Sequence, residues 1–195
     1  GFIIRASSTA IYFGLSVSTA GDINDDGIDD IVIGGLVVDE DPVKAYVFYG
    51  KKGTRGPIDL NNGLDPTQGF VITDGPSGMR YFGSSASYIG DLNNDGIDDI
   101  AIGATAESFD GTASILYGRK GGYQNISVDD PSISNYISAI SNSDCVMFGV
   151  LVDRAGDVNN DGIDDLYIFC NNVLDEPSAG AAAALSGILP DFAPS

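Results

Sequence analysis

Gly21-Asp-Ile-Asn-Asp-Asp-Gly-Ile-Asp-Asp-Ile-Val-Ile-Gly34 is the stretch around which this chain is built, and it occurs three times. The second copy is Gly90-Asp-Leu-Asn-Asn-Asp-Gly-Ile-Asp-Asp-Ile-Ala-Ile-Gly103, and the third is Gly156-Asp-Val-Asn-Asn-Asp-Gly-Ile-Asp-Asp-Leu-Tyr-Ile-Phe169. The copies start 69 and then 66 residues apart, a spacing that marks a repeated supersecondary unit. Each reads Asp-x-Asn-x-Asp-Gly-x-x-Asp followed by a short apolar run. Oxygen side chains at positions 1, 3, 5 and 9 of a tight loop suit a hard cation, and calcium takes six to eight oxygen ligands in irregular geometry. The glycine at position 6 supplies the positive φ that wraps the loop, and position 7 adds a backbone carbonyl.

The proposed ligands are Asp22, Asn24, Asp26, Ile28 (carbonyl) and Asp30 in loop one. Loop two offers Asp91, Asn93, Asp95, Ile97 and Asp99, and loop three Asp157, Asn159, Asp161, Ile163 and Asp165. Three calcium ions are therefore expected. Two carboxylates about 5 Å apart at an effective dielectric of about 20 repel by roughly 3 kcal/mol, so a loop with three or more of them strains when closed without a cation. A solvated acidic turn explains one such loop, but not three in register. A helix-pair calcium site needs a carboxylate at position 12 and a helix beyond it. Position 12 here is Ile33, Ile102 or Ile168, and the run that follows the loop is short and β-branched. The loops are expected to join strands.

The chain has 195 residues, enough for one sizeable domain, with 9 basic and 28 acidic residues and a net charge of −19. Such a surface repels nucleic acid and anionic membranes. The acids concentrate in the loops, so the charge reflects ligand chemistry and solubility. The chain has 26 glycines and no long helical periodicity, which points to an all-β fold rich in turns. The apolar stretch from Ala179 to Leu189 is too short to span a bilayer. The chain starts at Gly1 without a leader pattern, as a processed chain or part of a longer protein would. Weak calcium loops fill where calcium is abundant, which places the protein outside the cell or at its surface. The sequon Asn125-Ile-Ser127 agrees, with Asn125 as glycosylation acceptor.

The chain contains no histidine, no Gly-x-Ser-x-Gly elbow and no phosphate-binding glycine loop, so it is read as a non-enzyme. Cys145 and Cys170 both lie in the third repeat, and a disulfide between them is expected in an oxidising compartment. The pairs Lys51-Lys52 and Arg119-Lys120 recur at one turn, where solvated corners are commoner than anion clamps. Tyr46, Tyr49 and Tyr117 fit a packed strand better than a sugar platform.

The repeats are read as 1–68, 69–134 and 135–195, forming a single array. Gly1-Phe2-Ile3-Ile4 matches Gly69-Phe-Val-Ile72, and Tyr12 to Ser18 matches Tyr81 to Ser87. Ala45 to Gly50 matches Thr112 to Gly118. The third repeat is degenerate: Asn135 to Ser138 stands for the first strand and Ala181 to Gly187 for the third. Alanine favours helix there, whereas register favours strand, and register is followed.

Phe13-Gly14, Phe82-Gly83 and Phe148-Gly149, the three acidic loops, and Gly34-Gly35 or Gly103-Ala104 together resemble the FG-GAP repeats of integrin α-subunit β-propellers. The resemblance runs over essentially the whole chain. Phe169-Cys170 and the missing proline after the Gly-Ala pair depart from it. It implies three four-stranded propeller-like blades, with the Phe-Gly segment innermost and the calcium loop between strands one and two. The strand opening each repeat would then complete the preceding blade. Propellers have four to eight blades, so a ring of three is not expected to close within one chain. Gly1 to Ile4 would complete the third blade of a neighbouring molecule, making a head-to-tail ring or filament. The function so implied is a calcium-stabilised extracellular structural protein that self-assembles. The alternative is a carbohydrate- or protein-binding adhesion module, with Leu36 to Val43 and Ala104 to Gly111 as candidate binding segments for glycans or a cell-surface protein.

Overall fold

The computed structural model describes residues 1–6, 12–35, 44–73, 81–105, 111–141, 147–171 and 180–185, and for 170–171 and 180–185 the backbone alone. Fourteen strands are present among them: β1 (Ile4–Arg5), β2 (Ser16–Gly21), β3 (Asp30–Gly35), β4 (Lys44–Phe48), β5 (Ile58–Asp59), β6 (Gly69–Thr73), β7 (Ser85–Gly90), β8 (Asp99–Thr105), β9 (Gly111–Leu116), β10 (Ile126–Ser127), β11 (Ile137–Ser141), β12 (Val152–Gly156), β13 (Asp165–Asn171) and β14 (Gly180–Leu185). The helical content among these residues is two three-residue 3-10 turns, at Leu60–Asn62 and Pro131–Ile133.

Among the described residues the strands form separate blade-like sheets that do not close into a barrel or ring. Blade one runs β2-β3-β4-β6 antiparallel, with β10 added in parallel outside β6. Blade two runs β7-β8-β9-β11. Blade three has β12-β13-β14 among the described residues. The fourth strands of these blades, β6 and β11, come from the start of the following repeat and pair with β4 and β9. A small parallel pair, β1 with β5, forms its own sheet and packs through Ile4 and Ile58 against Ile33, Tyr46 and Phe48 of blade one.

Some elements differ from the sequence expectation. The first strand covers Ile4–Arg5 rather than Gly1 to Ile4, and Ile3 meets β5 through its carbonyl, which accepts the Ile58 N–H at 2.9 Å. Each Phe-Gly pair lies in a turn, and the inner strand starts after it. The cause is the glycine, which takes φ of 87° at Gly14, 79° at Gly83 and 76° at Gly149 and so breaks extended geometry. The third repeat's first strand begins at Ile137 rather than Asn135. The alanine-rich segment is a strand, because its backbone pairs along β13 from Leu166↔Leu185 to Asn171↔Gly180. Sheet pairing overrides alanine's helix preference there.

The core lies between blades. Alternate residues of β3, β4 and β6 (Val32, Val47, Phe70, Ile72) pack against Ile100, Ile102, Leu116 and Phe82 of blade two. The opposite face of blade two (Ala101, Ala113, Ile115) meets Phe148, Val152, Leu166 and Ile168 of the third. Every residue of β8 is buried, because both its faces are covered. Tyr49 and Tyr123 cross-link the first two blades: the Tyr49 hydroxyl donates to the Tyr123 carbonyl at 3.2 Å and accepts the Tyr123 N–H at 2.8 Å.

Close backbone approach explains the glycines at the "GAP" position. A Cβ on Gly34 would run into the Gly83 carbonyl oxygen, and one on Gly103 into that of Gly149. The second and third Phe-Gly turns thus seat on the glycine of the blade before them. Phe169 occupies the same register position in blade three.

Candidate metal loops

Each acidic loop begins where the inner strand bulges, between Thr19 and Gly21, Tyr88 and Gly90, and Arg154 and Gly156. The bulge glycines take φ of 59°, 80° and 74° and re-aim the chain into the loop. Position 4 also has positive φ: 57° at Asp25, 57° at Asn94 and 62° at Asn160, a conformation Asp and Asn tolerate.

The position-1 carboxylate organises the turn. Asp22 accepts the N–H of Asp26 at 2.9 Å and of Gly27 at 2.7 Å. Asp91 does the same with Asp95 and Gly96 at 2.9 and 2.7 Å, and Asp157 with Asp161 and Gly162 at 3.0 and 2.9 Å. The position-3 amide donates to the position-5 carboxylate at 3.2, 3.0 and 2.9 Å in the three loops. Ile28, Ile97 and Ile163 are half-buried in the same turns.

Position 9 bolts the loop to the sheet. Asp30, Asp99 and Asp165 are at most 1% exposed. Asp99 accepts the N–H of Gly118 and of Leu92, both at 2.8 Å. Asp30 accepts the Gly50 N–H at 2.6 Å, and Asp165 the Val158 N–H at 2.7 Å. Burial pushes Asp99 up to about 8, aided by the charges of Asp95 and Asp91 and opposed by the two N–H donors. Burial likewise pushes Asp30 up to about 7, with Asp26 and Asp22 adding and the Gly50 N–H opposing.

Among the described residues no three His, Cys, Asp or Glu side chains come close enough to hold a metal ion by themselves. The oxygens present nevertheless fit a hard cation. Asn24 Oδ1, the position-3 oxygen of loop one, is buried and has no hydrogen-bond partner, whereas Asp30 Oδ2 faces the Ile23 N–H as Asp99 and Asp165 face those of Leu92 and Val158. A buried acceptor without a donor is costly, and a cation is the partner such oxygens lack. Asp22, Asn24, Asp26, the Ile28 carbonyl and Asp30 would hold calcium, which would supply charge neutralisation and a rigid turn.

Other expectations fall elsewhere. Asn125 is exposed, and its Oδ1 accepts the Val71 N–H at 2.9 Å. The expected disulfide lies outside the described residues, which include neither Cys145 nor the Cys170 side chain, and most of the segments 36–43 and 104–111 lie outside as well. Tyr46, Tyr49 and Tyr117 are buried, as core residues. Arg119 is no anion clamp, since its guanidinium lies over the rings of Tyr123 and Tyr136 at 5.4 and 4.9 Å. Sequence reasoning missed the position-8 carboxylates. Asp98 accepts the Asp22 N–H at 2.8 Å and the Tyr88 hydroxyl at 3.1 Å, and Asp164 pairs with Arg154 at 2.7 Å. Their recurrence beside the ligand at position 9 was the available signal.

Residues 82–116 match the FG-GAP repeat family. The chain is 33% identical over 165 residues to integrin alpha-PS5 of Drosophila melanogaster, covering 80% of this chain and 15% of that protein. It is 31% identical over 169 residues to integrin alpha-5 of Xenopus laevis, covering 82% and 15%. Integrin alpha-11 of Homo sapiens is 33% identical over 107 residues, 55% of this chain and 8% of that one. The chain spans about 15% or less of the length of these relatives. With a relative 33% identical over 80% of its length and a family match over 82–116, this chain belongs to the FG-GAP repeat, integrin alpha-like family.

Proposed function

We propose that this chain is a calcium-stabilised structural module of an adhesion-related protein at the cell surface or outside the cell, and that it acts without catalysis. The kinship with integrin alpha chains supports the adhesion setting. The orphaned Asn24 oxygen supports calcium in loop one, and the same ligand spacing in the other two loops extends the reading to one ion per loop. Exposed Asn125 is compatible with a surface glycan.

The finer part of the proposal is head-to-tail self-assembly by strand addition. The observation that carries it is a mismatch of edges. Blades one and two each receive an outer strand on β4 or β9, whereas β14 has none among the described residues, and the matching segment Gly1 to Arg5 pairs with β5 alone. Phe2 and Ile3 are 36% and 60% exposed. By register, Gly1 to Arg5 of one copy aligns with Leu185 to Ala181 of the next, as Gly69 to Thr73 aligns with Phe48 to Lys44. Phe169 stands where Gly34 and Gly103 admit a Phe-Gly turn, so the junction rests on the strand edge rather than on a repeat of the internal blade contact. Mass photometry and electron microscopy of the 195-residue chain in calcium test this assembly. Oligomers that Ile4→Pro reduces to single copies are expected, because Ile4 matches Ile72 and its N–H would face the neighbour's β14, while those of Ile3 and Val71 face the other way. A wild-type chain that stays monomeric at micromolar concentration refutes the assembly.

A further inference from the structure

We propose that loop one is braced by the repeat that follows it while loop three is not braced among the described residues, so that three loops of nearly one sequence bind calcium with unequal affinity, loop one tightest and loop three weakest. The inference rests on the calcium reading above. Three backbone groups of loop one are held by repeat two. The Asp22 N–H donates to Asp98 Oδ2 at 2.8 Å, the Ile23 carbonyl accepts the Arg119 N–H at 3.0 Å, and the Asn24 carbonyl accepts the Gly121 N–H at 2.8 Å. Ligand positions 1 and 3 of loop one are therefore fixed from outside the loop. The position-2 side chain records the same cover. Ile23 is fully buried, whereas Val158, its counterpart in loop three, is 65% exposed. Asp157, Asn159 and Asp161 are exposed too, and among the described residues no donor from another repeat reaches the Val158 or Asn159 carbonyl. Loop two is intermediate: Leu92 is 4% exposed and Asn93 half-buried.

A loop already held in its closed shape loses less chain entropy on taking the ion, which shows as tighter binding. Asp98 is accordingly a positioning residue for loop one although it belongs to loop two. The turn at Arg119 to Gly121 does the same through its backbone.

Calcium titration calorimetry on single-loop chains tests this. Asp95→Ala with Asp161→Ala leaves loop one, and Asp26→Ala with Asp95→Ala leaves loop three. Asp25→Asn in the first chain equalises its charge with Asn160. Loop one is expected to bind about tenfold tighter than loop three. In the loop-one chain, Asp98→Ala is expected to weaken binding about fivefold, and Asp98→Asn, which keeps an oxygen acceptor, to restore most of it. Equal affinities, or a tighter loop three, overturn the inference while leaving the calcium reading intact. An Asp98→Asn chain as weak as Asp98→Ala means the charge acts and not the brace, and overturns it as well. A wild-type chain that takes up no calcium refutes the calcium reading and this inference together. The comparison of loops one and three does not depend on the Asp98 variants folding.

Discussion

Gly103 shows how a single hydrogen can decide a blade interface. Its missing Cβ is what lets the Gly149 carbonyl sit against β8. The obstacle is backbone and cannot rotate away, so Gly103→Ala is expected to cost about 1–3 kcal/mol, read as a lower denaturation midpoint in urea. Asp99 decides a second question. Its folded pKa of about 8 lies above the ordinary 3.8, so without calcium the folded state holds a proton that the unfolded state releases. Stability from this group is therefore present at low pH and lost as pH rises from about 4 to about 8, after which it is flat. Chelator-treated protein is expected to melt higher at pH 5 than at pH 8. Asp99→Asn should flatten much of that slope, and a melting profile rising with pH would contradict the burial of this acid.

At the scale of strands, one register position compares three settings. Val17, Ala86 and Val152 lie opposite Ile33, Ile102 and Ile168. Val152 is 1% exposed because blade two covers it, whereas Val17 is 64% exposed. Val152→Ala is expected to cost about 1–3 kcal/mol and Val17→Ala under about 0.5 kcal/mol in equilibrium unfolding. The same comparison marks what was legible in the sequence. The loops, the strand after each loop and the order of blades followed from residue type at fixed spacing. The strand β14 followed from register against composition. The short parallel strands β5 and β10 did not, since two residues carry no period. The brace on loop one did not either, because Arg119 and Gly121 act through N–H groups that every residue possesses. Position-8 Asp98 looked like one more acid in an acidic run; only its neighbour across the blade boundary reveals its role.

Over the whole molecule, metal and charge act together. Three calcium ions would bring a formal charge of −19 to −13 and relieve repulsion inside each loop. Each site filled at a hundred times its dissociation constant adds about 2.7 kcal/mol to the folded state. Chelation is therefore expected to lower the melting temperature in differential scanning calorimetry, with readdition of calcium restoring it and magnesium doing so less well. A melting temperature indifferent to chelator would count against metal in all three loops at once.

The reciprocal hydrogen bonds of Tyr49 and Tyr123 also have an optical use. The chain has nine tyrosines and no tryptophan, so its native ultraviolet emission is tyrosine light. The Tyr49 hydroxyl makes both bonds, to the main chain of Tyr123 in the next repeat, and water reaching that phenol would alter its brightness. Separation of the first two blades therefore carries a built-in fluorescent signal that needs no attached dye.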